Sequence, residues 1–338
     1  MKFQALDSLR GLAALAIAVF HYVDGWGGYL AVDFFLVLSG FVLSHSYLYS
    51  DKPVGPAAFI SHRIARLYPL HLFTLATFVA TYYLVWNRLP WYPDGTLFTF
   101  AQHLTLTQNV GLNPSGLTFN YPSWSISVEF WVNVLFIFFV TKTTKSATLL
   151  VISLLCLLVI YAQTGHLDTH ADNYFSFLNS GLLRGISSFL LGVIAYRAYL
   201  AYRQSSKTIS RITALELACI IGIFFVVFFR EEKLSSLDFL APFLFTLTVF
   251  TFALERGQIA RRISFLKYLG EISYSVYLNQ ISVLLLVRHL TQDLDLPRGV
   301  TFAAYLCALL VFSHLTYRFL EKPLRAKGRD FFARIVKS

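Results

Sequence analysis

The sequence predicts an all-α membrane protein: a single bundle of about ten transmembrane helices with both termini cytosolic. Three observations predict it. The first is composition. Of 338 residues, 56% are hydrophobic and only 14% charged, with a mean hydropathy of +0.60. Such a chain would overfill a soluble core, so lipid is the expected solvent. The second is ten apolar segments, near residues 6–23, 31–48, 66–86, 124–141, 146–162, 182–203, 213–230, 236–254, 268–290 and 300–320. Each is long enough, or nearly so, to cross about 30 Å of hydrocarbon. The third is the distribution of basic residues. With the N-terminus inside, only Arg88, Arg184, Arg230, Lys233, Arg288 and Arg298 fall on the outer side, and the other 22 of the 28 Lys and Arg face the cytosol. Basic residues collect on the cytosolic side of membrane proteins. The net charge of +10 is therefore a topology signal and a contact for anionic headgroups. It calls for no nucleic-acid partner.

Taking the elements in order, the first apolar run follows Lys2 and Arg10 in the manner of a signal peptide. It is interrupted by Asp7, and it ends in "HYVDGWGG" with no small-residue cleavage site, so it reads as an uncleaved first span. No internal repeat or low-complexity linker divides the chain. Residues 1–338 read as one transmembrane domain, multi-pass in the cell inner (plasma) membrane. Cys156, Cys219 and Cys307 each sit inside an apolar run and read as small packing residues, not as a disulfide framework or metal site.

Ionisable groups are expensive in lipid and mark function by default. In "RGLAALAIAVFH", ten residues separate Arg10 from His21. Eleven steps of about 100° make three turns plus roughly 20°, so both side chains share one helix face, roughly 16 Å apart along the axis. Arg10 sits at the cytosolic mouth and His21 in the outer half. Arg10 reads as a positive-inside anchor or as a contact for an anionic ligand. His21 reads as an interfacial histidine or as a base that works near neutral pH.

The second span carries Asp33 at its outer end and Ser39-Gly40 at its middle, where small residues permit close helix approach or passage of a slender ligand. In "SHRIARLYPLH", Arg63 and Arg66 share a face at the cytosolic entry of the third span, just before Tyr68-Pro69. They can anchor the helix or hold phosphate bidentately. The outer loop, about 88–122, mixes Asn, Gln and Pro with aromatics. It suits a sugar or an interfacial aromatic belt. The fourth span opens "PSWSISVEFW", with Glu129 about one turn in. A buried carboxylate needs a partner, and Glu129 could orient His21 as the acid of a triad does. Ser125 and Ser127 read as helix-capping serines more than as nucleophiles. Arg184 enters the sixth span from outside in "LLRGISSFLLG", where it could pair with Glu129 or Asp33, contact an acceptor, or snorkel to the interface. His45, His71 and His314 are assigned no role.

Together these segments resemble the acyltransferase 3 family of membrane proteins. The resemblance rests on Arg10 and His21, "FFLVLSGF" over Phe34–Phe41, and Arg63, Arg66 and Pro69. It continues with Trp124, Ser125, Ser127 and Glu129, then Arg184 with "FLLG" over Phe189–Gly192, "LGEISYSVYLNQ" and "YRFLEKP". One departure is visible: where many relatives place a histidine after "SYSVYL", Asn279-Gln280 stand, so a second histidine in this site is not expected. The resemblance implies an O-acetyltransferase that moves an acetyl group from cytosolic acetyl-CoA to a carbohydrate hydroxyl at the outer face, on a surface polysaccharide, lipopolysaccharide or lipid-linked sugar. His21 and Glu129 would be catalytic. Arg10, Ser39, Arg63, Arg66 and Tyr68 would bind the acyl-CoA, and Asp33, Trp124, Ser127 and Arg184 the acceptor. Acetyl-CoA enters as a substrate; no permanently bound cofactor, no metal and no fused esterase-like domain are expected. The lipid bilayer is a further partner, and homo-oligomerisation is left open. A sugar or glycolipid transporter, or a non-catalytic membrane assembly protein, is the alternative from another class.

Overall fold

The computed structural model describes residues 3–23, 25–51, 54–113, 115–204, 209–229 and 235–335. Lys2, Lys52, Lys207, Arg230, Lys233 and Lys337 of the charge distribution lie outside the described residues. Thirteen helices are described: α1 (Gln4–Tyr22), α2 (Ala31–Leu43), α3 (Pro56–Trp86), α4 (Thr96–Thr105), α5 (Trp124–Phe139), α6 (Ser146–Thr164), α7 (Ser180–Tyr202), α8 (Ile209–Phe228), α9 (Ala241–Ala253), α10 (Gln258–Ile263), α11 (Lys267–Thr291), α12 (Arg298–Thr316) and α13 (Lys322–Ile335). A two-residue antiparallel hairpin, β1 (Asn173–Tyr174) with β2 (Leu178–Asn179), precedes α7.

Among the described residues, nine helical stretches are long and apolar enough to cross a membrane, not ten. The expected span at 268–290 is helical as α11, but it falls outside the nine. Its sequence is diluted by polar residues that other side chains satisfy: Ser275 donates to Glu321 at 2.7 Å and the Asn279 amide to Thr316 at 2.9 Å. A helix whose polar groups find protein partners need not be apolar all round. Where helices face outward they are oily. On α6, Leu150, Leu154 and Leu158 are 39%, 45% and 59% exposed, as expected of a surface solvated by lipid. The chain is a multi-pass membrane protein, and its described residues are almost entirely helical.

α3 begins ten residues before its expected start. Pro56 stands at its N-terminus, where a missing N–H costs nothing and φ is already helical. Pro69 lies inside the helix without ending it, as membrane helices tolerate. Arg63 and Arg66 are therefore well inside α3 and not at its entry. The outer loop is not all loop either, since it contains α4.

The chain forms two compact units: residues 1–53 with 131–273, and residues 54–130 with 274–338. In the first, α2 and α7 run side by side over a core that includes Phe34, Val37, Phe41, Tyr196 and Tyr199. Their approach is set by two glycines. A methyl at Gly40 would strike the Phe189 carbonyl, and one at Gly192 would strike the Val37 carbonyl. Gly40 is thus a packing residue that lets backbones touch. Gly192→Val is expected to destabilise the protein by about 1–3 kcal/mol through overpacking, read as a lower thermal midpoint in detergent; an unchanged midpoint would contradict so close a crossing. In the second unit, α3 packs with α13, and Leu75, Phe78, Phe119 and Ile281 form a smaller apolar cluster.

Candidate active site

In the first unit, α1 carries Arg10 and His21. Arg10 donates from Nε to the Gly270 carbonyl at 3.1 Å and to Ser273 Oγ at 3.0 Å, and lies 3.4 Å from Asp7. About a quarter of its side chain is exposed. His21 occupies the last turn of α1, half-buried, its ring edge-on to Phe20 at 5.2 Å.

Asp33 and Arg184 meet in a closed ion pair. Arg184 donates from Nε to both Asp33 oxygens at 3.1 Å and from Nη2 to Oδ2 at 2.6 Å. Its other donors reach the carbonyls of Leu167 at 2.8 Å and Tyr29 at 3.1 Å, and Ser188 donates to Asp33 at 2.8 Å. The side chains are 0% and 1% exposed. Of the two partners open to Arg184, the structure selects Asp33. Ser39 donates weakly to Asn133, at 3.5 Å.

In the second unit, Arg63 Nη2 donates to Glu129 Oε1 at 3.0 Å. Arg66, one turn further on, is half-buried and lies with Arg63, Glu129 and Glu321 in electrostatic range of Tyr274. The Tyr68 ring faces Phe130 and His71. Trp124 is buried. Ser127 Oγ donates to the Leu106 carbonyl at 2.7 Å and accepts from the Asn109 N–H at 3.3 Å. Ser127 thereby pins the outer loop to α5, at positions the sequence had put on the acceptor side. His21 belongs to the first unit and Glu129 to the second.

Much of the outer loop's polar content is turned inward. Gln102, His103, Gln108, Asn109, Asn113, Thr118 and Asn120 are all 5% exposed or less. Gln102 donates to Leu112, Asn113 to Gly116 and Asn120 to Leu278, so these amides pair with backbone carbonyls, the first two nearby in the chain and the third far from it. His103 is held between Thr118 and the parallel ring of His71. Burial first, then the field of His71, lowers its pKa to about 3. It stays neutral at any working pH. Trp91 and Leu97, 74% and 85% exposed, remain outside in the manner of an interfacial belt.

Sequence reasoning missed Gly270 and Ser273 as the seat of Arg10, and it missed Asp168 and His170, which lie near Arg184. The spacing of these residues along the chain carries no signal of their proximity. The arrangement offers an imidazole on the same helix as an arginine, and a separate cationic group of Arg63 and Arg66 balanced by Glu129.

Comparison with known proteins identifies the lineage. The chain is 26% identical over 365 residues to O-acetyltransferase OatA of Staphylococcus aureus (strain NCTC 8325 / PS 47), an alignment that covers 98% of the chain and 58% of the relative. It is 33% identical over 187 residues to Protein 2 in picA locus of Rhizobium radiobacter, covering 48% of the chain and 94% of that protein. The chain thus spans just under three-fifths of OatA's length. No solved structure matches it. The model of an acyltransferase domain matches residues 3–318, nearly the whole chain, with every motif residue from Arg10 to Arg184 inside the match; the chain belongs to the acyltransferase 3 family.

Proposed function

We propose that the protein is an O-acetyltransferase that moves an acetyl group from cytosolic acetyl-CoA to a hydroxyl of an envelope carbohydrate at the outer face of the inner membrane, with both termini cytosolic. The observation that carries this is the pair Arg10 and His21 on α1 of an acyltransferase-family membrane protein. Extended pantetheine is about 15–20 Å long, by analogy with ~3.3–3.6 Å per extended residue. That length matches the roughly 16 Å rise from Arg10 to His21. The relative named O-acetyltransferase OatA supports a hydroxyl acceptor.

The donor-binding residues of this scheme are Arg10 and Ser39 in the first unit and Arg66 and Tyr68 in the second, each to be tested by itself. Arg63 contributes charge through its pair with Glu129. His21 removes the acceptor proton as the hydroxyl oxygen attacks the thioester carbon. The carbon–sulfur bond breaks and the proton passes to the departing thiolate. The exchange of thioester for ester runs without ATP. Trp124 and Ser127 are the acceptor-side residues of the second unit; in the first, Arg184 holds the Leu167 and Tyr29 carbonyls and Asp33 holds Arg184, and neither exposes surface to a ligand.

Purified full-length protein incubated with radiolabelled acetyl-CoA and a panel of oligosaccharides is expected to label a glycan. Arg66→Ala is expected to weaken acetyl-CoA binding about tenfold, in line with about 1.5–3 kcal/mol for a charged hydrogen bond. Calorimetry or a filter-binding assay checks it, and an unchanged affinity removes Arg66 from the donor site.

A further inference from the structure

The segment between α6 and α7 is short, yet it concentrates Asp168, His170 and Asp172. It is built, not loose. The Leu167 N–H donates to Asp238 at 2.9 Å, and its carbonyl accepts from Arg184 at 2.8 Å. Thr169 donates to Asp172 at 2.6 Å, and the Ser180 N–H donates to the Asp172 carbonyl at 2.9 Å. The β1–β2 hairpin closes the segment.

These anchors lead to the outer end of α1. Arg184 also donates to the Tyr29 carbonyl. The Tyr29 ring packs on Phe20 at 5.6 Å, and Phe20 packs on His21 at 5.2 Å. His170 Nδ1 lies 4.0 Å from Asp168 Oδ1, both side chains 21% exposed. The charged and titratable groups acting on His170 are Arg184 of α7, Asp172 of its own segment and His21 of α1. Asp168 and Asp33 in turn act on Arg184. All of these residues belong to the first unit.

We propose that His170, backed by Asp168, is the positioning partner of His21, holding its ring and stabilising the imidazolium that forms during transfer. The role is the one the sequence had suggested for Glu129, and it rests on His21 being the base. Burial, with the positive field of Arg184 behind it, lowers the His170 pKa to about 4. His170 is then neutral at working pH. A neutral imidazole both donates and accepts, so it can fix the tautomer of a second ring. Asp168 supplies the negative charge that favours protonation of His21. The transferred proton goes from acceptor hydroxyl to His21 to CoA thiolate; His170 and Asp168 keep their own protonation throughout.

The test compares full-length wild type with His170→Gln and Asp168→Asn in detergent. Side-chain nitrogen NMR follows the His21 titration, assigned with His21→Gln, and acetyl transfer from acetyl-CoA is timed on whichever panel oligosaccharide the wild type labels. His170→Gln is expected to lower kcat about 10- to 100-fold, with KM for acetyl-CoA within about twofold of wild type. Asp168→Asn is expected to move the His21 titration, and the acid limb of the pH–rate profile, about 0.5–1 pH unit lower, because a lost negative neighbour disfavours the imidazolium. A purely structural loop predicts lower melting temperatures with the His21 titration and the pH profile unmoved, and that result overturns the proposal. If His170→Gln does not fold, the Asp168→Asn titration decides alone. The NMR reading needs no acceptor. A moved titration in a protein that transfers no acetyl therefore rejects the function and not the His21–His170–Asp168 contact, whereas an unmoved one in an active enzyme rejects only the contact.

Discussion

His21→Ala is expected to abolish acetyl transfer while leaving folding and acetyl-CoA binding nearly intact. General-base catalysis by a positioned side chain contributes about 10²–10⁴-fold in rate, and a covalent acetyl-histidine relay would make the loss larger still. The fold should withstand the change. His21 is half-buried in the last turn of α1, and the turn is closed by the Val23 N–H donating to the Val19 carbonyl at 2.8 Å, a bond the imidazole does not share. Alanine is the strongest helix former, so the last turn keeps its propensity. The donor's phosphates are expected at the other end of the helix, so binding and chemistry should separate: dissociation constants near wild type, rates near background. Three measurements on one preparation check this: label transfer, acetyl-CoA affinity and thermal midpoint. Full transfer in this variant would remove His21 from the chemistry, whereas no transfer by the wild type would favour a transporter or assembly role.

Arg184→Ala is expected to cost about 3–5 kcal/mol, because it leaves Asp33 as an uncompensated charge in a site sealed from water. The guanidinium also holds the carbonyls of Leu167 and Tyr29, so its loss should loosen the α6–α7 segment. Asp33→Asn combined with Arg184→Met removes both charges and is expected to recover much of the loss, since replacing both members of a buried pair is far milder than breaking it. Thermal and denaturant midpoints in detergent check the cycle. Equal midpoints for wild type and Arg184→Ala would mean that water reaches the pair. Hydrogen exchange at Leu167 should rise in the single variant, because the strap it belongs to loses one of its two anchors.

The spans were legible because a membrane imposes a length and a polarity on each helix. Nine of the ten expected segments coincide closely with helices, although the ninth proved too polar to qualify as a span; the third was placed to begin ten residues after its helix does. Both misses have one cause. Pro56 and Pro69 read as punctuation locally, yet one fits a helix start and the other is tolerated within the bundle. Ser275 and Asn279 read as polar dilution, yet each has a side-chain partner in a distant helix. The outer loop was open to two readings, a sugar surface or an interfacial aromatic belt, and the structure adds that Gln102, Asn113 and Asn120 turn inward to satisfy backbone. Polar composition reports that hydrogen bonds are needed, not who makes them.

By itself the sequence determined that this is a helical membrane protein of the acyltransferase kind, and that an arginine and a histidine share a face of its first span. The first derives from composition, the acyltransferase kind from the resemblance of its motifs to that family, and the shared face from the period of one helix; all are read along the chain. Only the tertiary structure decided the partners: Asp33 with Arg184 and Arg63 with Glu129. Asp33 and Arg184 are 151 residues apart in the chain. In a medium that penalises unpaired charge, each ion takes whichever counter-ion the packing brings within reach, and that is a property of how the helices meet.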